Sequence, residues 1–293
     1  SDPIYQYDYE SSDDNGQKVI TLEPTCKDGG GDEKWVRWFF GEMFNEKSMS
    51  FGYTQAGQEN SFGWEAMKDG YEMQMKFISE LYKEGKIDVM TAADSGEWYK
   101  RQYSETPASS VVAEKDGKGA IWFSNRFFRL GAYFEQNKFF IRDLTLFNDA
   151  YKERYLNDTC KNKNMYYDNL PLMDSYRWSV NEKAGIYFAD GEKRAEAVSF
   201  PETKEINENR FEIYVPFEKE TAVIVCEENK ITVKTNMVLK FECERQNMGA
   251  QLLFGENEIN CKYENFEYSI KVKGKTDKQG VVCPLEGVIE FTV

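Results

Sequence analysis

The hydrophobic positions follow two different rhythms along the chain. Toward the C-terminus they recur every second residue. Phe211, Ile213, Val215 and Phe217 alternate with Glu212, Tyr214 and Pro216. Tyr268, Ile270 and Val272 alternate with Ser269, Lys271 and Lys273, and Ile289, Phe291 and Val293 alternate with Val288, Glu290 and Thr292. Period-two patterning predicts strands with one buried face. Ala189-Asp190-Gly191, Glu228-Asn229-Lys230 and Gly255-Glu256-Asn257 supply turn residues between them. About eight to ten strands over roughly 115 residues predict an all-β sandwich domain spanning 176–293.

Before residue 176 the spacing lengthens. Met67, Tyr71, Met75, Ile78 and Tyr82 recur at intervals of three and four and predict a helix from about Gly63 to Glu84, with Asn60 or Ser61 as N-cap and Gly85 as terminator. Lys86 to Thr91 then reads as a short strand and Asp94 to Glu97 as a polar loop. A second helix is expected from about Leu144 to Leu156, with Leu146, Ala150 and Tyr151 facing inward. Helix, turn, apolar strand and polar loop together form one βα unit, so the fold class expected is α/β. The expectation is a (β/α) barrel-like domain over 1–175 followed by the sandwich. A full barrel needs about 250 residues, so the barrel part is either small or incomplete at its N-terminus.

Composition narrows the function classes. The 293 residues carry 37 Lys+Arg against 51 Asp+Glu, a net charge of −14 that repels nucleic-acid backbones and anionic lipid surfaces. Hydrophobic residues at 41% and aromatics at 15% are too many for a disordered chain. The apolar runs are too short for membrane insertion. There is no histidine, which excludes Ser/His/Asp and Cys/His catalytic sets and any His-bearing metal site within these residues. Acid–base chemistry must then use Asp, Glu, Tyr, Lys or Cys. Cys26, Cys160, Cys226, Cys243, Cys261 and Cys283 contain no CxxC pair, which disfavours a zinc cluster and leaves open whether the last four are bridged or buried as thiols. Neither GxGxxG nor GxxxxGK[ST] is present. No cofactor and no metal are expected.

Three segments could carry chemistry. In the first, Tyr53, Gln58, Glu59, Asn60 and Trp64 mix aromatic rings with amides and a carboxylate just ahead of a helix. That combination can stack on and hydrogen-bond a sugar, and the helix dipole would hold Glu59 ionised as a base or nucleophile. An ordinary capping loop fits the same residues. In the second, Asp94, Glu97 and Trp98 could supply a general acid beside an aromatic. Asp94-x-x-Glu97 equally matches a capping box. In the third, Trp35, Arg37 and Trp38, with Arg126, Arg129, Arg142 and Asp143, could line a sugar cleft or serve as ion pairs around the core.

The run Gly52 to Glu65, then Gly70 to Ile78, then Asp88-Val-Met-Thr91 with Glu97-Trp98, resembles the C-terminal half of glycoside hydrolase/deacetylase-type (β/α) barrels, especially a gut-bacterial group in which a β-sandwich follows the barrel. The resemblance implies carbohydrate processing and a secreted, periplasmic or cell-surface location in bacteria. Polysaccharide deacetylases hold a divalent metal with an Asp and two His, and this sequence has no His to offer. A carboxylate-only glycosidase needs none, which makes Glu59, Glu97 and Asp94 the candidate catalytic groups. Tyr53, Gln58, Asn60, Trp64, Trp98, Trp35 and Arg37 are then the substrate-binding candidates. The alternative is a non-catalytic carbohydrate-binding or structural envelope protein.

Overall fold

The structure, a computed structural model, describes residues 31–44, 63–152, 154–161, 170–179, 183–243 and 250–293. It divides into two compact units, Ser1–Asp116 and Gly117–Val293.

The first unit contains helices α1 (Glu33–Met43), α2 (Trp64–Lys83) and α3 (Ala92–Gln102) and strand β1 (Ser109–Lys115). Asp32 starts α1 by accepting the backbone N–H groups of Lys34 and Trp35 at 2.9 and 3.3 Å, which satisfies two of the donors a helix start leaves open. α2 begins at Gly63, with no side-chain cap, rather than at Asn60 or Ser61. Its end is the expected one. Gly85 adopts φ +69°, its N–H donates to the Tyr82 carbonyl, and the Lys86 N–H reaches back to Leu81. That pair of bonds is a Schellman motif, which favours glycine at the left-handed position. Val36, Phe39 and Phe40 of α1 are buried against Met73, Phe77, Ile78 and Leu81 of α2. The buried stripe of α2 is therefore rotated from the expected one, with Met67, Gly70 and Gln74 buried and Tyr82 57% exposed. Lys86–Thr91 forms no strand: Val89 and Met90 are exposed, and Thr91 caps α3.

The second unit is built of antiparallel strands. They are β2 (Lys118–Ser124), β3 (Phe128–Glu135), β4 (Lys138–Leu146), β5 (Leu170–Asp174), β6 (Gly185–Asp190), β7 (Lys193–Arg194), β8 (Glu202–Asn207), β9 (Arg210–Pro216), β10 (Thr221–Glu227), β11 (Lys230–Lys234), β12 (Val238–Glu242), β13 (Ala250–Phe254), β14 (Glu258–Tyr263), β15 (Phe266–Lys273), β16 (Lys275–Thr276), β17 (Val281–Cys283) and β18 (Val288–Thr292). A one-turn helix, α4 (Ser175–Trp178), follows β5. One sheet runs β2-β3-β4-β6-β12-β17-β16, with β5 also against β4 and β7 against β6. The other runs β13-β14-β15-β18-β11-β10-β9-β8.

The two sheets face each other across an aromatic core. Phe123 of β2 stacks on Phe211 of β9 at 6.0 Å. Phe188 of β6 meets Phe217 at 5.2 Å, and Phe241 of β12 meets Phe254 of β13 at 5.3 Å and Phe291 of β18 at 6.2 Å. The buried Asn125 joins the ends of the sheets. Its Oδ1 accepts from the Phe127 and Phe128 N–H groups, and its Nδ2 donates to the Glu228 carbonyl at 2.7 Å in the β10–β11 turn.

These pairings overturn the α/β reading and the barrel resemblance with it. The strands of a barrel are parallel and separated by helices, whereas β2 to β5 pair antiparallel and precede residue 176. Leu144 and Leu146, assigned above to a helix, are buried in β4, and Tyr151 lies in the turn region beyond it. The alternating segments do form strands: β9, β15 and β18 each bury every second residue on one side. Truncating the inter-sheet stack by Phe123→Ala should lower stability by about 3–5 kcal/mol, measured by chemical denaturation with fluorescence and far-ultraviolet circular dichroism.

Candidate functional site

Four of the residues singled out from the sequence, Tyr53, Gln58, Glu59 and Asn60, lie outside the described residues. Asp94 and Glu97 sit on α3, within the first turns of a helix rather than on a loop. The capping group is Thr91. Its Oγ1 accepts the Asp94 N–H at 3.1 Å and donates to the Asp94 carboxylate at 2.7 Å. Glu97 pairs with Lys100 at 3.2 Å, with side chains 65% and 74% exposed. The burial that an acid role demands is missing there. Trp98 packs edge-on against Tyr103 at 6.0 Å.

Trp35 stacks on Phe39 at 5.3 Å within α1. Arg37 bonds Glu33 at 2.8 Å, reaches Glu80 at 3.6 Å and lies 4.3 Å over the Phe77 ring. It thereby ties α1 to the C-terminal half of α2. Trp64 opens α2, about 20 Å of helix away from Phe77, and is 56% exposed beside Tyr71. Trp35 and Arg37, two residues apart on α1, therefore point to different sides of that helix, and Trp64 joins neither. In the second unit Arg129 clasps Asp143 in a two-pronged pair at 3.0 and 2.7 Å, and Arg129 and Arg142 both lie over Trp122. Among the described residues no group of three or more Cys, Asp and Glu is arranged to hold a metal ion.

Other carboxylates of the second unit are also tied into the fold. Glu212 accepts from the Tyr214 hydroxyl and from Arg210, whose guanidinium also bonds Glu227 at 2.9 Å. The Tyr214 hydrogen bond first, and Arg210 next, hold the Glu212 carboxyl below its ordinary value. Glu220 accepts from the Thr235 hydroxyl and from Asn236, and so fixes the loop between β11 and β12. Cys226, Cys261 and Cys283 are free thiols. Cys226 and Cys261 face the core, and burial pushes the Cys261 thiol up to about 12.

The arrangement with the most chemical scope is an aromatic corner where the β14–β15 hairpin meets the segment after β4. Tyr151 lies edge-on to Phe266 at 5.0 Å and to Tyr263 at 5.9 Å. Phe266 in turn stacks near Tyr268 at 6.3 Å, and the Tyr268 hydroxyl donates to the Pro171 carbonyl at 2.8 Å. Tyr151 and Phe266 are half-buried, so part of each ring meets solvent. Beside them Arg154 pairs with Glu264 at 2.9 Å. Rings with accessible area, bordered by a guanidinium and a carboxylate, can stack on an apolar face and hydrogen-bond its polar edge. Sequence reading missed this cluster because Tyr151 and Phe266 are far apart along the chain. The one available signal was the aromatic-Glu-Asn-aromatic hairpin Tyr263 to Phe266.

The fold and these clusters define a predominantly antiparallel β protein of sandwich-like architecture. Comparison with protein-family models, with curated proteins and with solved structures found no match to the chain. No relative therefore supplies a function, and the barrel family suggested by the sequence gains no support.

Three outcomes follow from these local geometries. Thr91→Ala should destabilise the first unit by about 1 kcal/mol, whereas Glu97→Gln should change stability by less than about 0.5 kcal/mol, both read by thermal unfolding. A carboxyl held low in the folded state contributes stability above its unfolded value and loses it as pH falls through the folded one. Acid titration of stability should therefore be shallower below the ordinary carboxylate range in Glu212→Gln than in the parent protein.

Proposed function

We propose that the chain is a non-catalytic carbohydrate-binding protein of a cell-surface or extracellular assembly, rather than a glycoside hydrolase. The observation that carries this reading is the aromatic corner of Tyr151 and Phe266 beside the Arg154–Glu264 pair. A pyranose ring presents apolar C–H groups on its faces and hydroxyls around its rim. Aromatic area framed by charged hydrogen-bonding groups complements both. The acidic surface disfavours polyanionic partners and leaves neutral or basic glycans. Among the described candidates, the structural employment of Asp94 and Glu97 supports binding without turnover, because each already serves its own helix.

The test is calorimetric titration of neutral oligosaccharides, with mass spectrometry of the same sugars after long incubation. Saturable binding with unchanged sugars is expected, and Phe266→Ala should weaken it about ten-fold, the equivalent of about 1.4 kcal/mol of stacking. Shortened or deacetylated sugars would overturn the reading in favour of an enzyme. Binding that survives Phe266→Ala and Tyr151→Ala unchanged would move the site elsewhere.

A further inference from the structure

Helix α2 carries two apolar stripes, and the first unit buries one of them. Met67, Gly70 and Gln74 are buried, and Met73, Phe77 and Leu81 pack against α1. The second stripe runs Trp64, Lys68, Tyr71, Met75, Ile78 and Tyr82, in alternating steps of four and three. That is the spacing of a coiled-coil seam interrupted by one lysine. Trp64 and Tyr82, at its two ends, are 56% and 57% exposed. Tyr71 and Met75 are half-buried, and Ile78 borders α1. The seam extends over about 27 Å of helix, and its aromatic ends face solvent.

The flank of the seam turned away from α1 is charged in a definite order. Glu65 and Glu72 lie in its N-terminal half, Lys76 and Lys83 in its C-terminal half. Glu65 bonds Lys68 at 2.6 Å and Glu72 bonds Lys76 at 2.8 Å within the helix, yet the two glutamate side chains stay 82% and 66% exposed. Each carboxylate therefore keeps an open side for a second cation. Turning the helix end for end exchanges the signs along this flank, so it is complementary to itself in the antiparallel sense.

We infer that this seam is a homodimer contact, in which α2 packs antiparallel on α2 of a second copy of this chain about a two-fold axis level with Met73 and Gln74. Trp64 then meets Tyr82 of the other copy at both ends of the contact. Tyr71 faces the Met75 thioether of the other copy, a favourable sulfur–aromatic pairing. Lys68 lays its methylenes along Ile78 of the other copy while its ammonium stays in water, and as the one polar member of the seam it fixes the register. On the flank, Glu65 comes level with Lys83 of the other copy and Glu72 with Lys76. The antiparallel sense also places each helix N-terminus beside a C-terminus, where the macrodipoles attract. Every contact occurs twice, as a closed two-fold interface requires.

Sedimentation velocity of the full chain from micromolar to near-millimolar concentration, combined with zero-length carbodiimide cross-linking and peptide mass spectrometry, tests the inference. The weight-average mass should rise from that of one chain toward that of two. A Glu65–Lys83 cross-link should appear in the dimer band, and it reports contact between copies because the same two residues are about 27 Å apart along one helix. Tyr82→Glu sets a carboxylate against Trp64 and Glu65 of the other copy at an exposed position, where circular dichroism can confirm an intact fold. It should weaken association about ten-fold or more. A mass independent of concentration would overturn the inference, as would a dimer that lacks the Glu65–Lys83 cross-link or survives Tyr82→Glu unchanged.

Discussion

The packing of the first sheet on both of its faces is the constraint on which the second unit depends. Its inner face meets the second sheet through Phe123, Phe188 and Phe241, with Phe139 packed beside Phe188 on the same face. Its opposite face carries a second aromatic row, Tyr133, Phe140 and Tyr187, adjacent across β3, β4 and β6 and buried to 5% exposure or less. Lys183 covers that row, with its ammonium 5.1 Å above Tyr133 and its carbonyl accepting the Tyr187 hydroxyl. The ring layers leave so little space that glycine is needed beneath them. A β-carbon at Gly131 would lie 2.6 Å from Trp122, and one at Gly185 would lie 2.6 Å from Phe140. Burial of this density is the main favourable term in folding.

The second sheet has the opposite economy. β14 and β15 bury alternate residues and turn lysines, glutamates and small polar groups outward. Its solvated face is a mosaic of opposite charges, including Lys273 and Glu290 at 2.6 Å and Arg210 between Glu212 and Glu227. Such exposed pairs contribute little stability each, but they keep one broad face from becoming sticky. Charge at β8 and the brevity of β16 protect two of the strand edges in the same way.

Asp94, one of the catalytic candidates of the sequence, illustrates how a short polar motif can also serve a helix start. Asp94 lies three residues after Thr91, and that spacing is the geometry in which an N-cap hydroxyl meets the third helical residue. Nothing local distinguishes a strand-end acid from a helix cap. The difference lies in whether Lys86–Thr91 finds a neighbouring strand, and here it does not. Arg37, Arg129 and Arg142 tell the same story for cations, since each is held by carboxylates, ring faces or both.

Local chemistry alone determined the strands of the C-terminal half, the turns between them and the end of α2. One-faced strands must alternate, and a left-handed helix stop favours glycine, so Tyr268 to Val272 and Gly85 declare themselves. The absence of histidine likewise settled which catalytic sets these residues cannot contain. Only the tertiary structure decided the rest. β3 and β4, Phe-Arg-Leu-Gly-Ala-Tyr-Phe-Glu and Lys-Phe-Phe-Ile-Arg-Asp-Leu-Thr-Leu, are buried on both sides. A two-sided strand loses the alternation that identifies it. Leu144 and Leu146 then pass for part of a helical stripe. The aromatic corner was equally hidden, because Tyr151 and Phe266 become neighbours only when the two sheets close on each other.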